Sequence, residues 1–253
     1  MIHAGPIWFA RFSITLDRKV DGHKLQIEVL SWRAQWREPA LSLFLGIQAF
    51  FVFICIPISA VGIISTPALV SVFGLVLMCA CLVVAADRAA VISTLAAAVL
   101  SISAILTHAR FPDQRTAAVG VFAALANLVV VSWVMARAVF GPGIISAHRI
   151  RGAIALYLNF GLVCAAAYRI AVLFAPECIH GVRPNDERRV VSTLVYFSFA
   201  TLTTTGFGDV IPVHPVVRGL AILEGVAGQL YPATLLARIV TLELEHRRSG
   251  RDI

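Results

Sequence analysis

The sequence predicts an all-α membrane protein with six transmembrane helices and, between the fifth and sixth, a re-entrant helix too short to cross. Three observations predict it. Of 253 residues, 59% are hydrophobic and 14% charged, against about 25% charged in soluble domains, and mean hydropathy is +0.86. Six apolar stretches, 41–64, 67–86, 89–106, 117–140, 152–174 and 216–242, each approach the roughly 20 residues that span a hydrocarbon core. A seventh, 190–203, is shorter and rich in Ser, Thr, Tyr and Phe, which suits a half-helix whose end is covered by protein or water. This composition excludes an ordinary soluble domain. The formal charge of +7 needs no nucleic-acid partner, because Lys and Arg collect in cytoplasmic loops of membrane proteins.

Residues 1–40 read as a cytoplasmic N-terminal arm, with a hairpin signal at Asp21-Gly22 and Trp32 and Trp36 as interfacial anchors. Residues 41–140 form a four-helix scaffold whose third span is the shortest. Only Asp87 and Arg88 separate its second and third spans, which demands a tight helical hairpin. Gly141-Pro142-Gly143 opens a linker, 141–151, in which His148, Arg149 and Arg151 are placed to meet anionic headgroups. The last two spans and the short helix occupy 152–244, and 245–253 is a short cytoplasmic tail with no room for a regulatory-ligand domain.

Basic residues fix the orientation. Arg11, Arg18, Lys19, Lys24, Arg33, Arg37, Arg88, Arg149, Arg151 and the C-terminal arginines outnumber Arg110, Arg115, Arg183, Arg188, Arg189 and Arg218 on the opposite side. Both termini are therefore expected in the cytoplasm of a cell bounded by this plasma (inner) membrane. Cys55, Cys79, Cys81 and Cys164 fall in apolar segments as small hydrophobes, and Cys178 stands in a polar loop. No metal-binding cysteine or histidine cluster and no nucleophile motif suggests an enzyme or a cofactor.

The stretch from Thr201 to Val210, TLTTTGFGDV, has little use as membrane helix. It has a clear use as an extended strand whose carbonyl oxygens replace the water around a cation. Gly206 and Gly208 reach positive φ at little cost, so consecutive carbonyls can turn toward one axis.

Thr204-Thr205-Gly206-Phe207-Gly208-Asp209 resembles the TVGYGD signature of potassium channels, whose filter is also the standard illustration of carbonyl coordination. Thr205 stands where that family has Val, and Phe207 where it has Tyr. The resemblance extends over the last hundred residues or so, through Pro212, Glu224, Gly228, Gln229, Tyr231 and Ala237-Arg238. It implies a homotetramer in the lipid bilayer, with one filter strand from each chain. K+ is the implied permeant ion, held by the carbonyls of Thr204, Thr205, Gly206 and Phe207 and the Thr204 hydroxyl, with Gly208 completing the strand. It also implies that Tyr196 or Ser198 braces Asp209, and that Gly228 is a hinge, which Pro232 can assist by kinking the sixth span.

Arg169 and Glu224 lie within apolar spans, and pairing them behind the filter, within or between subunits, would relieve the cost of two intramembrane charges; the alternative is that Arg169 snorkels outward while Glu224 binds half-helix hydroxyls or is protonated. The fourth span carries the single basic residue Arg137, so it lacks the charge ladder of a voltage sensor. A weakly selective monovalent cation channel is the nearest alternative. A secondary transporter is the distant one, since it calls for paired interrupted helices and only one interruption is present.

Overall fold

The computed structural model describes residues 39–249 apart from 64, 65, 86, 112, 142–146 and 185. The hairpin, Trp32 and Trp36 lie outside the described residues. Seven helices and one short strand pair follow in order: α1 (Pro39–Ala60), α2 (Thr66–Val84), α3 (Arg88–Arg110), α4 (Gln114–Phe140), α5 (Ala147–Phe174), β1 (Ile179–His180), α6 (Glu187–Leu202), β2 (Ile211–Pro212) and α7 (Pro215–Ser249). Five of these, α1, α3, α4, α5 and α7, are long and apolar enough to cross a membrane, and α2 has a shorter apolar stretch, Ala68–Val84.

The expected order of lengths is reversed: α3 has 23 residues and α2 has 19. The physical reason lies at the α3 ends. Asp87 caps its start by accepting from Ala90 N at 2.8 Å. At its other end Thr107 bonds back to Ser103 O and Ala104 O, and Phe111 N closes on Thr107 O, so the helix continues past the last apolar residue to Arg110. Arg137, near the C-terminal end of α4, pairs with Asp87 and lies 4.8 Å over the Trp133 ring, which fastens α4 to the start of α3.

The scaffold joins the C-terminal helices through packing and through one buried polar chain. Gln48 Nε2 on α1 donates to Asn159 Oδ1 on α5 at 2.8 Å. Asn159 Nδ2 then donates to Ser132 Oγ at 2.7 Å and Leu128 O at 2.9 Å, both on α4. Such bonds hold helices together where apolar faces have no water to escape. His148 and Arg151 reach Ser42 on α1, and Arg149 donates to Gly141 O, so all three linker residues make protein contacts. Cys79 is exposed and Cys55 half-buried, whereas Cys178 is buried against Tyr168, Val172 and Ile179. Cys55 and Cys79 are thus less buried than was expected of small hydrophobes in apolar segments. Burial pushes the Cys178 thiol up from its ordinary pKa.

Candidate functional site

The site starts from the end of α6. Asp186 caps this helix by accepting from Arg189 N, and its sixteen residues run to Leu202, close to the expected 190–203. Beyond Leu202 the chain does not diverge from the helix. Thr204 N donates to Thr201 O at 2.9 Å, Thr205 N to Ala200 O at 2.8 Å, and Gly206 N to Ala200 O at 3.2 Å. In a trans peptide the C=O points opposite to the N–H, and there are no cis peptides among the described residues. The carbonyls of Thr203, Thr204 and Thr205 therefore point away from the helix end. Positive φ recurs at every second residue: Thr204 at 56°, Gly206 at 56° and Gly208 at 81°. A flat strand would turn successive carbonyls to opposite sides; alternating handedness turns them to the same side. Glycine adopts this backbone freely, but at Thr204, a β-branched residue, it is strained by about 1–3 kcal/mol.

The segment beyond is clamped on its outer side. Ile179 pairs with Pro212 and His180 with Ile211, and Cys178 O accepts from Val213 N and His214 N. Gly181 has φ 89°, and a Cβ there would strike the carbonyl oxygen of Asp209. Tyr196 OH donates to Asp209 Oδ1 at 2.9 Å, and the Tyr196 and Phe207 rings stack with centroids 5.9 Å apart. Of the two braces expected for Asp209, Tyr196 makes the bond and Ser198 does not. Tyr196→Phe is expected to speed the decay of flux through an otherwise assembled protein; stopped-flow flux traces that superimpose on wild type would reject it.

Ser198 faces the other way. Its hydroxyl contacts both Gly161 O, at 2.7 Å, and Glu224 Oε1, while Tyr168 OH donates to Glu224 Oε2 at 2.6 Å. Glu224 is fully buried. Within one chain its two oxygens are engaged by the hydroxyls of Ser198 and Tyr168. Asp87–Arg137 and Asp186–Arg189 are ion pairs among the described residues. Tyr168, the neighbour of Arg169 in sequence, takes one of the two carboxyl oxygens of Glu224.

α7 approaches the α6 end at Gly228. A Cβ at this position would overlap the carbonyl oxygen of Leu202. Pro232 lies four residues on and has no N–H for the Gly228 carbonyl. Tyr157 OH lies 3.3 Å from Leu202 O and 3.5 Å from Gly228 O, between the two. The next residue, Gln229, donates from Nε2 to Thr204 Oγ1 at 2.9 Å. Sequence reasoning missed the Gln229 and Tyr157 contacts. The residues of 203–209 are exposed on the single chain, as are Val216, Ile222, Leu223, Val226 and Leu230 along α7.

Residues 154–244 match the ion channel family model. No curated protein and no solved structure matches the chain. The ion channel match takes in α5 after its first two turns, α6, the clamped segment and α7 as far as Leu244, so it contains every residue of the site just described. An ion-channel region and several apolar helices together make this a multi-pass membrane protein.

Proposed function

We propose that the protein is a potassium-selective channel that conducts K+ passively through a tetrameric TTGFG filter, formed by Thr204, Thr205, Gly206, Phe207 and Gly208 from four copies. The observation that carries the reading is the backbone of this segment: N–H groups of Thr205 and Gly206 given back to α6, and left-handed φ at every second residue. Carbonyls turned to one side in succession are ligands for a dehydrated cation and serve little purpose in a helical membrane protein otherwise. One chain supplies one strand, and the apolar residues it exposes along α7 flank that strand. A homotetramer covers both. The expected inner-membrane orientation, with both termini cytoplasmic, places the Asp209 end of the filter outside. Arg137 is engaged by Asp87 and Trp133, which supports conduction without steep voltage dependence.

Purified protein in liposomes tests the reading. K+ and Rb+ are expected to pass and Na+ to be retained, at all voltages tried. Gly206→Ala forces a side chain into positive φ at a cost of about 1–2 kcal/mol per subunit, and is expected to abolish flux while the tetramer persists on size-exclusion chromatography. Liposomes that hold K+ as tightly as protein-free ones would overturn conduction itself. Equal passage of K+ and Na+ would instead establish the weakly selective cation channel, which the Thr205 and Phe207 departures favour.

A further inference from the structure

We propose that Gln229 determines ion specificity by fixing the Thr204 hydroxyl as the innermost cation ligand; the assignment rests on the filter reading given above. Three threonines stand together at the base of the segment, and their hydroxyls have different partners. Thr203 donates to Phe199 O, and Thr205 lies 2.8 Å from Thr203 Oγ1. These two are tied to each other and to α6. The Thr204 hydroxyl is held from a different helix, by the amide of Gln229 at 2.9 Å.

The hydrogen-bonding capacity of the two groups decides what this contact does. A threonine hydroxyl has one proton and two lone pairs, and the glutamine amide nitrogen only donates. Gln229 therefore occupies one lone pair of Thr204 Oγ1 and leaves the other for a cation. It also selects the hydroxyl's rotamer, on a residue whose backbone is already held at φ 56°. The contact is set by the close approach at Gly228: with no side chain there, α7 lies against Leu202 O, and the following residue is carried to the filter base. Both Gln229 and Thr204 are exposed on the chain, so their bond is not a by-product of burial in the core. A neutral amide at this place orients a ligand without adding charge, which favours a monovalent ion over a divalent one of similar size.

The test compares K+, Rb+ and Na+ flux and Ba2+ block in liposomes for wild type, Gln229→Met, Thr204→Val and the double variant. Gln229→Met keeps the side-chain volume and removes the donor. It is expected to lower the K+ over Na+ flux ratio by about two- to tenfold, the range one net hydrogen bond supports, and to weaken Ba2+ block. Thr204→Val removes the ligand as well as the bond and is expected to lower the ratio at least as far, and the double variant no further than Thr204→Val, because Gln229 acts only through that hydroxyl. Gln229→Glu lets Thr204 donate to a carboxylate and adds charge, so Ba2+ block is expected to strengthen. Unchanged ratios and unchanged Ba2+ block in Gln229→Met, with a conducting wild type, would overturn the role of Gln229 alone. A Gln229→Met protein that loses its oligomer while Thr204→Val keeps it would also overturn it, since the amide would then serve assembly. A wild type that passes no cation overturns the filter reading itself.

Discussion

Gly228→Ala is expected to abolish ion flux and to destabilise the protein by about 3 kcal/mol per subunit, the upper end of what overpacking costs. The alanine methyl would overlap the carbonyl oxygen of Leu202, which belongs to the last turn of α6 and cannot rotate away as a side chain could. Relief requires α7 to move off the α6 end. That movement would also withdraw Gln229 from Thr204, and part Tyr157 from one of its two carbonyl partners. Gly219→Ala on the same helix is the control: nothing lies within 4 Å of its added Cβ. Helix propensity alone then predicts a gain of up to about 1 kcal/mol. Thermal unfolding followed by size-exclusion, together with liposome flux, separates two roles for Gly228. A hinge predicts normal stability with altered opening, whereas a close-contact glycine predicts loss of both. Equal stability for the two alanine variants would dismiss the contact.

The same approach shows how far the sequence could be read. Segment lengths and apolar content were sufficient to mark the helices, because a span must supply about 20 apolar residues whatever packs beside it. The left-handed backbone at Gly206 and Gly208 was legible because glycines recur there at every second position, and this period has a backbone meaning. What the sequence did not carry was rotational phase. α5 and α7 are apolar around most of their circumference, so no stripe announces which side meets α6. Neighbouring helical residues point about 100° apart, which follows from 3.6 residues per turn. A one-residue step in phase is therefore enough to bring Tyr168, the neighbour of Arg169, to Glu224, a contact the sequence did not announce. The burial of Cys178 was hidden for a related reason. Its loop is polar in composition, but β1–β2 pairing folds it inward over Val217 and Ile179. Gly228 was recognised by position, yet its close approach to Leu202 depends on where α6 ends in space.

Glu224→Gln is expected to assemble and conduct like wild type, while Glu224→Ala is expected to lose about 2–5 kcal/mol per subunit and most of its flux. The reason is a count of protons. Ser198 has one hydroxyl proton and stands between two oxygens, Gly161 O and Glu224 Oε1. If Ser198 donates to Gly161, its contact with Glu224 needs a proton from the carboxyl group. A neutral Glu224 would supply it: Glu224 would donate to Ser198, Ser198 to Gly161 O, and Tyr168 to the remaining carboxyl oxygen, with the Cys164 thiol also bonded to this carboxyl group. Glutamine reproduces this arrangement, with its amide nitrogen donating to Ser198 and its oxygen accepting from Tyr168. Alanine leaves both hydroxyls facing a void in a fully buried site. These three helices, α5, α6 and α7, meet at no other buried carboxyl or basic side chain among the described residues. The bond network thus sets how α6 sits, and with it the direction of the carbonyls that follow Leu202. Should Glu224→Gln prove as unstable as Glu224→Ala in thermal unfolding, the carboxyl group is needed as a charge and the neutral network is wrong.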